Sequence, residues 1–345
     1  MPQESGASPR FEIRQVPRPQ PGPNELLVKL TLTSVCGTDC ALAAGHLGPT
    51  RAVLGHEGVG TISALGSGVP SLDPSVEVGQ RVGVAWIRDA CGTCGFCVLP
   101  SGETRCVGLF HSGRSCDGTF AEYAVVPWRY MTRIPPRLDS VPDELVAPVL
   151  CGGVTAYKAI KECHVLPGQY VAISGGGGGV GALGVQYASA MGYRVVAVDA
   201  GEEKGRYALA LGAEHYVDIT KEKDLGVAVK KLTDGRGCNG VIIATGAGAA
   251  YQSAFEMLAP YGTYMCVGIP PPNQTVNFHP IQFINNGAKV TGSAVGTRQD
   301  ILEALEFVKR GVVSPKVEEA KLEDMESILK WVSEGKIQGK YIIRF

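Results

Sequence analysis

The sequence predicts an α/β protein in two parts, an irregular β-barrel followed by a parallel sheet wrapped by helices. Two observations predict this. From Phe11 to about Pro148 the chain is rich in Gly, Pro, Val and Thr. Short β-type runs recur there (ELLVKLTLT, GVGTISAL, QRVGVAW, FAEYAVV), separated by turn residues such as PGPN and GSG, and no long helical period appears. Beyond that point strands and helices alternate, which is the pattern of a parallel sheet. The stretch from Cys151 to Gly181, CGGVTAYKAIKECHVLPGQYVAISGGGGGVG, joins the two parts. We place the first domain at 1–151 and the second at 152–289.

Composition narrows the class. A chain of 345 residues with 45% hydrophobic and 19% charged residues has ample core for two domains. A formal net charge of -1 gives no reason to expect nucleic acid or an anionic membrane as partner. No apolar run reaches the eighteen or so residues of a membrane helix. The opening MPQESGASPRFEI is polar and has no signal core, so a cytoplasmic address is expected. Eleven cysteines in such a chain point to metal ligands and free thiols rather than disulfides.

The second part reads in order. YVAIS is a short buried strand. Val180, Leu183, Tyr187, Ala188 and Met191 fall at helical spacing, and RVVAVD is the next strand. Glu202 to Leu211 is helical, with Gly212 as its stop. HYVDI, GVIIAT and TYMCVGI continue the alternation. Asp300 caps a helix through ILEALEFVKRG, Asp324 opens another that Gly335 ends, and KYIIRF is a last strand.

Gly176, Gly178 and Gly181 satisfy the G-x-G-x-x-G spacing, with Gly179 and Val180 between them. The match follows a strand and opens a helix, and Asp199 ends the next strand. Small residues let the backbone approach a pyrophosphate, and the helix N-terminus offers free N–H groups. Asp199 lies eighteen residues past Gly181, where a carboxylate grips ribose hydroxyls and repels a 2′-phosphate. Glu202 and Glu203 add to that repulsion, and Lys204 is the only nearby cation in the sequence. NAD is therefore favoured over NADP. The plainer reading of Asp199 is an acid in a strand-end turn.

Cys91, Cys94, Cys97 and Cys106 pack four thiols into sixteen residues. Four soft ligands in one short loop suit a closed tetrahedral zinc site with a structural role; an iron–sulfur cluster is the alternative. Cys36, His56 and Cys151 form a second set. Two thiolates and one imidazole are a catalytic zinc set, with water or substrate as fourth ligand. From spacing alone that triplet is weak, since an isolated cysteine or histidine is more often ordinary core.

The words around these residues supply the specificity. CGTD, GHEG, the four-cysteine cluster, APVLCGGVTAYKA and ISGGGGGVG resemble the zinc-dependent medium-chain alcohol dehydrogenases, best in their yeast-type branch. The likeness runs in the same order from about Phe11 to Phe345, and MGYRVVAVD, TKEKD and VGIPP strengthen it. It implies a GroES-like β-barrel catalytic domain plus a Rossmann doubly wound sheet, with 290–345 returning to the catalytic domain. It also implies two zinc ions per chain, NAD, a small alcohol or carbonyl substrate, and a homo-oligomer, tetramer or dimer. By the same resemblance Cys36, His56 and Cys151 hold the catalytic zinc. Thr38 takes the alcohol proton, Asp39 orients the zinc-bound histidine, and Glu57 is the acid beside the metal. Val267 and Lys340 join Gly176, Gly178, Gly179, Val180, Gly181, Asp199 and Lys204 on the cofactor.

The sequence departs from the family pattern in four places. Ala41 stands where a proton-relay histidine is usual, with His46 five residues on as a possible substitute. The loop from Gly45 to Leu54 is short, and Leu47 replaces a bulky tryptophan. The gap before Cys106 is one residue longer than usual. Lys340 stands where an arginine is frequent, which keeps the charge and loses the bidentate fork. Two other readings stay open: a specialised reductase or dehydrogenase for a larger substrate, and a zinc-stabilised nucleotide-binding protein without redox activity.

Overall fold

Residues 10–271 and 273–345 are described by the computed structural model. The polar stretch 1–9 and Pro272 lie outside the described residues. The chain divides into two compact units. One comprises Met1–Cys151, Gly296–Lys309 and Pro315–Phe345; the other comprises Gly152–Val295 and Arg310–Ser314.

In chain order the strands are β1 (Glu25–Ser34), β2 (Gly58–Leu65), β3 (Arg81–Val84), β4 (Ile87–Asp89), β5 (Phe110–His111), β6 (Tyr123–Pro127) and β7 (Thr132–Arg133). There follow β8 (Tyr170–Ser174), β9 (Arg194–Asp199), β10 (His215–Asp218), β11 (Cys238–Ile243), β12 (Leu258–Cys266), β13 (Lys289–Gly292), β14 (Val317–Ala320) and β15 (Lys340–Arg344).

In the first unit the main sheet runs β14-β15-β1-β2-β3-β7, and β6 also pairs with β1. The ten-residue β1 is the spine. Along one edge it pairs with β2; along the other it is shared between β6, over Glu25–Lys29, and β15, over Leu32–Ser34. Register shifts at Leu27/Val28 and Leu30/Leu32 allow this, because a bulge bends a strand and increases its twist. Leu26, Val28, Leu30, Ile62, Val82, Val84 and Val126 form the enclosed core. A second cluster joins Val35 to Met325, Ile328, Leu329 and Ile343, so the C-terminal tail completes this unit.

The second unit holds a six-stranded parallel sheet, β10-β9-β8-β11-β12-β13. All five residues of β8 are buried, as expected of a strand covered on both faces. The helix Gly179–Ala190 buries Leu183, Tyr187 and Ala188, and also Gln186 and Gly184, so it has little polar face. After β8 the chain builds one side of the sheet with β9 and β10, then crosses to β11. That is the topological switch point at which open α/β sheets bind ligands.

Two expectations change. The second domain edge, placed at 289 from sequence, falls on the first residue of β13. Because β13 pairs with β12, the second unit continues to Val295. The helix expected to start from an Asp300 cap begins at Arg298. Thr297 and Asp300 bond reciprocally: the Thr297 amide and hydroxyl donate to Asp300 Oδ2 (2.9 and 2.7 Å), and the Asp300 amide donates to Thr297 Oγ1 (3.0 Å). Asp300 thus acts from the first turn. Asp324 closes a short turn, Leu322–Asp324, directly before the helix Met325–Ser333.

Candidate active site

One metal-ligand set is assembled around Asp39, which is fully buried. Cys36 precedes the helix Gly37–Ala43, and its amide donates to Asp39 Oδ2 at 3.0 Å. The other carboxylate oxygen, Oδ1, accepts from the Gly55 amide at 3.1 Å and lies 2.9 Å from His56 Nδ1. Gly55 sits at φ +92°, and an added Cβ would meet the Phe120 amide and Thr119 Oγ1 at 2.7 Å, so the tight approach to His56 requires glycine. With Nδ1 committed to Asp39, His56 Nε2 is buried without a hydrogen-bond partner. An orphaned buried nitrogen of this kind costs free energy unless it finds a ligand.

It has a place to find one. The donor atoms of Cys36, His56, Glu57 and Cys151 lie within 4.8 Å of one another. The sulfurs of Cys36 and Cys151 are 4.0 Å apart; two zinc–sulfur bonds of about 2.3 Å at a tetrahedral angle set the sulfurs about 3.8 Å apart. The residues therefore fit a zinc ion. The Cys151 thiol beside it holds Cys36 well below the usual thiol range, with Lys340 and His56 helping against the cost of burial. Burial works against protonated His56, but the Asp39 carboxylate and the Cys36 thiolate outweigh it and hold its pKa high.

Glu57 does not point at the metal ligands alone. Its carboxylate accepts from Ser34 Oγ and from the buried ammonium of Lys340 on β15. Burial pushes Glu57 up to about 7 against the pull of Lys340. Lys340 is thus the cation that offsets a cluster of acids and thiols.

The second set, Cys91, Cys94, Cys97 and Cys106, also has its sulfurs within 4.8 Å of one another. Amides of Cys91 and Gly108 donate to Cys106 Sγ, and that of Cys94 to Cys91 Sγ, each at 3.3 Å. The amides of Thr93 and Cys94 bring the Cys91 thiol down to about 6. A loop that offers four sulfurs leaves no open coordination position, which suits a structural ion.

In the second unit the turn after β8 is shaped for close backbone approach. A Cβ at Gly181 would sit 2.0 Å from the Gly175 carbonyl oxygen, and one at Gly176 would lie 2.9 Å from Ala197 Cβ. Gly178 precedes the helix that begins with Gly179 and Val180. The Gly177 amide donates to Asp199 Oδ2 at 2.9 Å, and Lys204 Nζ pairs with Asp199 Oδ1 at 3.1 Å. The cradle fits a dinucleotide. Val267 follows β12 and lines a small apolar cavity with Val180 and Gly181.

Residues 22–136 match the alcohol dehydrogenase GroES-like domain, and residues 179–310 match the zinc-binding dehydrogenase family. The chain is 41% identical to alcohol dehydrogenase 1 of Emericella nidulans, over 96% of this chain and 93% of that one. The chain belongs to the zinc-dependent medium-chain alcohol dehydrogenases. It is also 40% identical to an alcohol dehydrogenase of Geobacillus stearothermophilus, over 97% and 95% of the two chains. Among solved structures, the alcohol dehydrogenase of Aeropyrum pernix superposes with a TM-score of 0.84 at 30% identity, covering 97% of this chain and 96% of that one. The protein is accordingly an oxidoreductase that interconverts alcohols with aldehydes or ketones.

For this alcohol dehydrogenase the fold adds residues that spacing did not reveal. Trp86 meets the His56 ring edge-on at 5.1 Å, and His111 packs on Trp86 at 4.6 Å with the rings tilted by 33°. Pairing of Ile87 with His111 across β4 and β5 produces that packing, and nothing in the sequence announces it. Lys204 is also joined by other cations near the cofactor turn: Lys221 pairs with Glu202 at 2.6 Å, and Arg206 reaches it at 3.9 Å. The count of Lys204 as the only nearby cation was too low: Arg206 follows it by two residues on the same helix, and Lys221 arrives from the loop after β10. Thr38 lies half-buried in the first turn of Gly37–Ala43; Ala41 is half-buried and His46 exposed.

Proposed function

We propose that the enzyme oxidises primary or secondary alcohols with NAD, and reduces the carbonyl products with NADH, at a zinc held by Cys36, His56 and Cys151. The carrying observation is the buried, unpartnered His56 Nε2 converging with two sulfurs 4.0 Å apart. When bound, zinc supplies Lewis acidity to the substrate oxygen and NAD supplies the hydride-accepting ring. Asp39 fixes the His56 tautomer and ring direction. Cys36 and Cys151 supply two negative charges, and Lys340 offsets Glu57 nearby. Thr38, two residues past Cys36, receives the alcohol proton on its hydroxyl. Cys91, Cys94, Cys97 and Cys106 hold the structural ion.

NAD is favoured because Asp199 faces the place of the ribose hydroxyls, while Lys204 binds Asp199 rather than standing free for a phosphate. Lys340 gives one hydrogen bond to Glu57 and retains donors for a cofactor phosphate. Eleven cysteines, six of them in the two ligand sets, fit a reducing compartment such as the cytosol. No helix among the described residues is long and apolar enough to cross a membrane.

The enzyme forms a homo-oligomer, a dimer or tetramer, in which a second copy covers the outer edge of β13. All four β13 residues are exposed, and β13 ends its sheet. Beside it the helix Pro280–Asn286 buries no residue and exposes Ile281 and Ile284. An open strand edge next to exposed isoleucines is a pairing surface. The test of the whole reading is a screen of alcohols with NAD and NADP, followed at the NADH absorbance, on protein of measured zinc content and mass in solution. NADP-only turnover, absence of turnover or a zinc-free active protein refutes it.

A further inference from the structure

On the side of His56 occupied by Trp86, the next ring is His111. His111 sits one ring past Trp86 from His56, half-buried, with no hydrogen bond from its ring nitrogens among the described residues. Burial first, then the charges of Arg114 and His56, brings its pKa down to about 4, so at neutral pH it is an uncharged imidazole with one donor and one acceptor to offer.

Arg114 lies in the same loop, its amide bonded to the His111 carbonyl at 3.4 Å. Its guanidinium stands over Gly48, where an added Cβ would be 4.0 Å from Nη2. Arg51 ties the two loops together, with its amide on the Gly113 carbonyl at 3.0 Å and Nε on the Ser115 carbonyl at 2.9 Å. Neither Arg51 nor Arg114 has a carboxylate partner among the described residues. The acid of this loop, Asp117, is beside Arg88, whose Nη2 donates to the Asp117 carbonyl at 3.1 Å. Several other arginines of this unit are paired with carboxylates: Arg81 with Asp143, Arg129 with Asp89, Arg133 with Asp73, Arg298 with Glu103. An unpaired guanidinium beside an unpaired imidazole is an acceptor-seeking pair.

We propose that Arg114 and His111 are specificity-determining residues that receive a carboxylate at the far end of the substrate. The preferred alcohol is then an ω-hydroxy acid, and the preferred carbonyl compound its semialdehyde. The His56–Trp86 and Trp86–His111 ring centroids lie 5.1 and 4.6 Å apart, so His111 is within reach of a substrate of about four to six carbons whose hydroxyl is held beside His56 (a C–C bond is about 1.5 Å). This rests on the alcohol dehydrogenase reading above and names the substrate class for the same site.

The experiment compares kcat/KM for ω-hydroxyhexanoate and hexanol at saturating NAD with zinc-loaded enzyme. The expected ratio favours the acid by about tenfold, the worth of one partly exposed charge-assisted hydrogen bond. The advantage resides in KM and shrinks in high salt, since Arg114 is exposed. Arg114→Gln brings the ratio near one, Arg114→Glu inverts it, and Arg114→Lys keeps most of it. His111→Phe, which preserves the packing on Trp86, lowers it. Melting curves of each variant confirm that the fold persists. A wild-type ratio of one or less, or a ratio indifferent to Arg114→Glu, overturns this proposal while hexanol turnover leaves the enzyme reading standing. Turnover of neither compound overturns both.

Discussion

His56 Nδ1 lies 2.9 Å from Asp39 Oδ1, and that contact decides where the other imidazole nitrogen points. Asp39 also takes the amides of Cys36 and Gly55, so a single carboxylate fixes the backbone on both sides of a ligand pair. Asp39→Asn keeps the shape and removes the charge. It is expected to weaken zinc binding at this site by about 10–100-fold, as for other second partners of ligating histidines. Competition with a chelator, scored on one of the two zinc ions, measures it. Wild-type affinity in the variant would refute the orienting role.

The two cysteine sets predict opposite phenotypes. Cys94→Ser is expected to lower Tm by about 5–10 °C, because a closed site contributes mainly to folding. Surviving protein keeps most of its turnover per catalytic zinc. For Cys151→Ser the loss falls on turnover, about 10²-fold or more, with a smaller change in melting. Equal effects of the two changes on Tm and kcat would contradict the division of labour.

Asp199 touches the turn through Gly177 and is itself held by Lys204. Asp199→Ala removes the negative charge and frees Lys204. The preference for NAD over NADP is expected to fall by about 10–100-fold, the range of one or two charge-assisted hydrogen bonds. The ratio of kcat/KM values for the two cofactors reports it, and an unaltered ratio would assign Asp199 to a turn alone.

If Thr38 takes the alcohol proton as proposed, Ala41 offers it no imidazole, and the proton would have to leave to solvent by another route. A positioned acid–base group is worth about 10²–10⁴-fold, and one remote from bond breaking should give less than the lower figure. Alcohol oxidation by the wild type should therefore show no relay-histidine inflection between about pH 6 and 8, where an ordinary histidine titrates; the buried Glu57, pushed up to about 7, is the group of this site that titrates there. Ala41→His is expected to raise the rate and add an inflection in that range. His46 is exposed and five residues on, and His46→Ala should change little. No gain from Ala41→His, together with a sharp loss in His46→Ala, would move the relay to His46.

What could be read from the sequence was local. Cys91, Cys94, Cys97 and Cys106 are close in the chain, so their spacing alone implies a shared ion. The run from β8 through Gly181 to Asp199 is one strand–turn–helix–strand unit, and its hydrophobic pattern and glycines report on a single backbone path. Strands β1, β2, β3, β6 and β15 of the first unit are visible as short β-type runs; the short β4, β5, β7 and β14 are not.

Tertiary structure decided whatever depends on distant segments meeting. Cys36 and Cys151 are 115 positions apart, and Lys340 reaches Glu57 across 283. Resemblance could name those residues; only the shared edge of β1 explains why β15 delivers an ammonium to Glu57. His111 comes to Trp86 through the pairing of two short strands whose register no local pattern fixes. Lys221 reaches Glu202 in the same way, from a loop that sequence distance made invisible. The physical reason is that periodicity and turn chemistry constrain neighbours along the chain, whereas a cluster of charges is set by which strand edges find each other when the core closes.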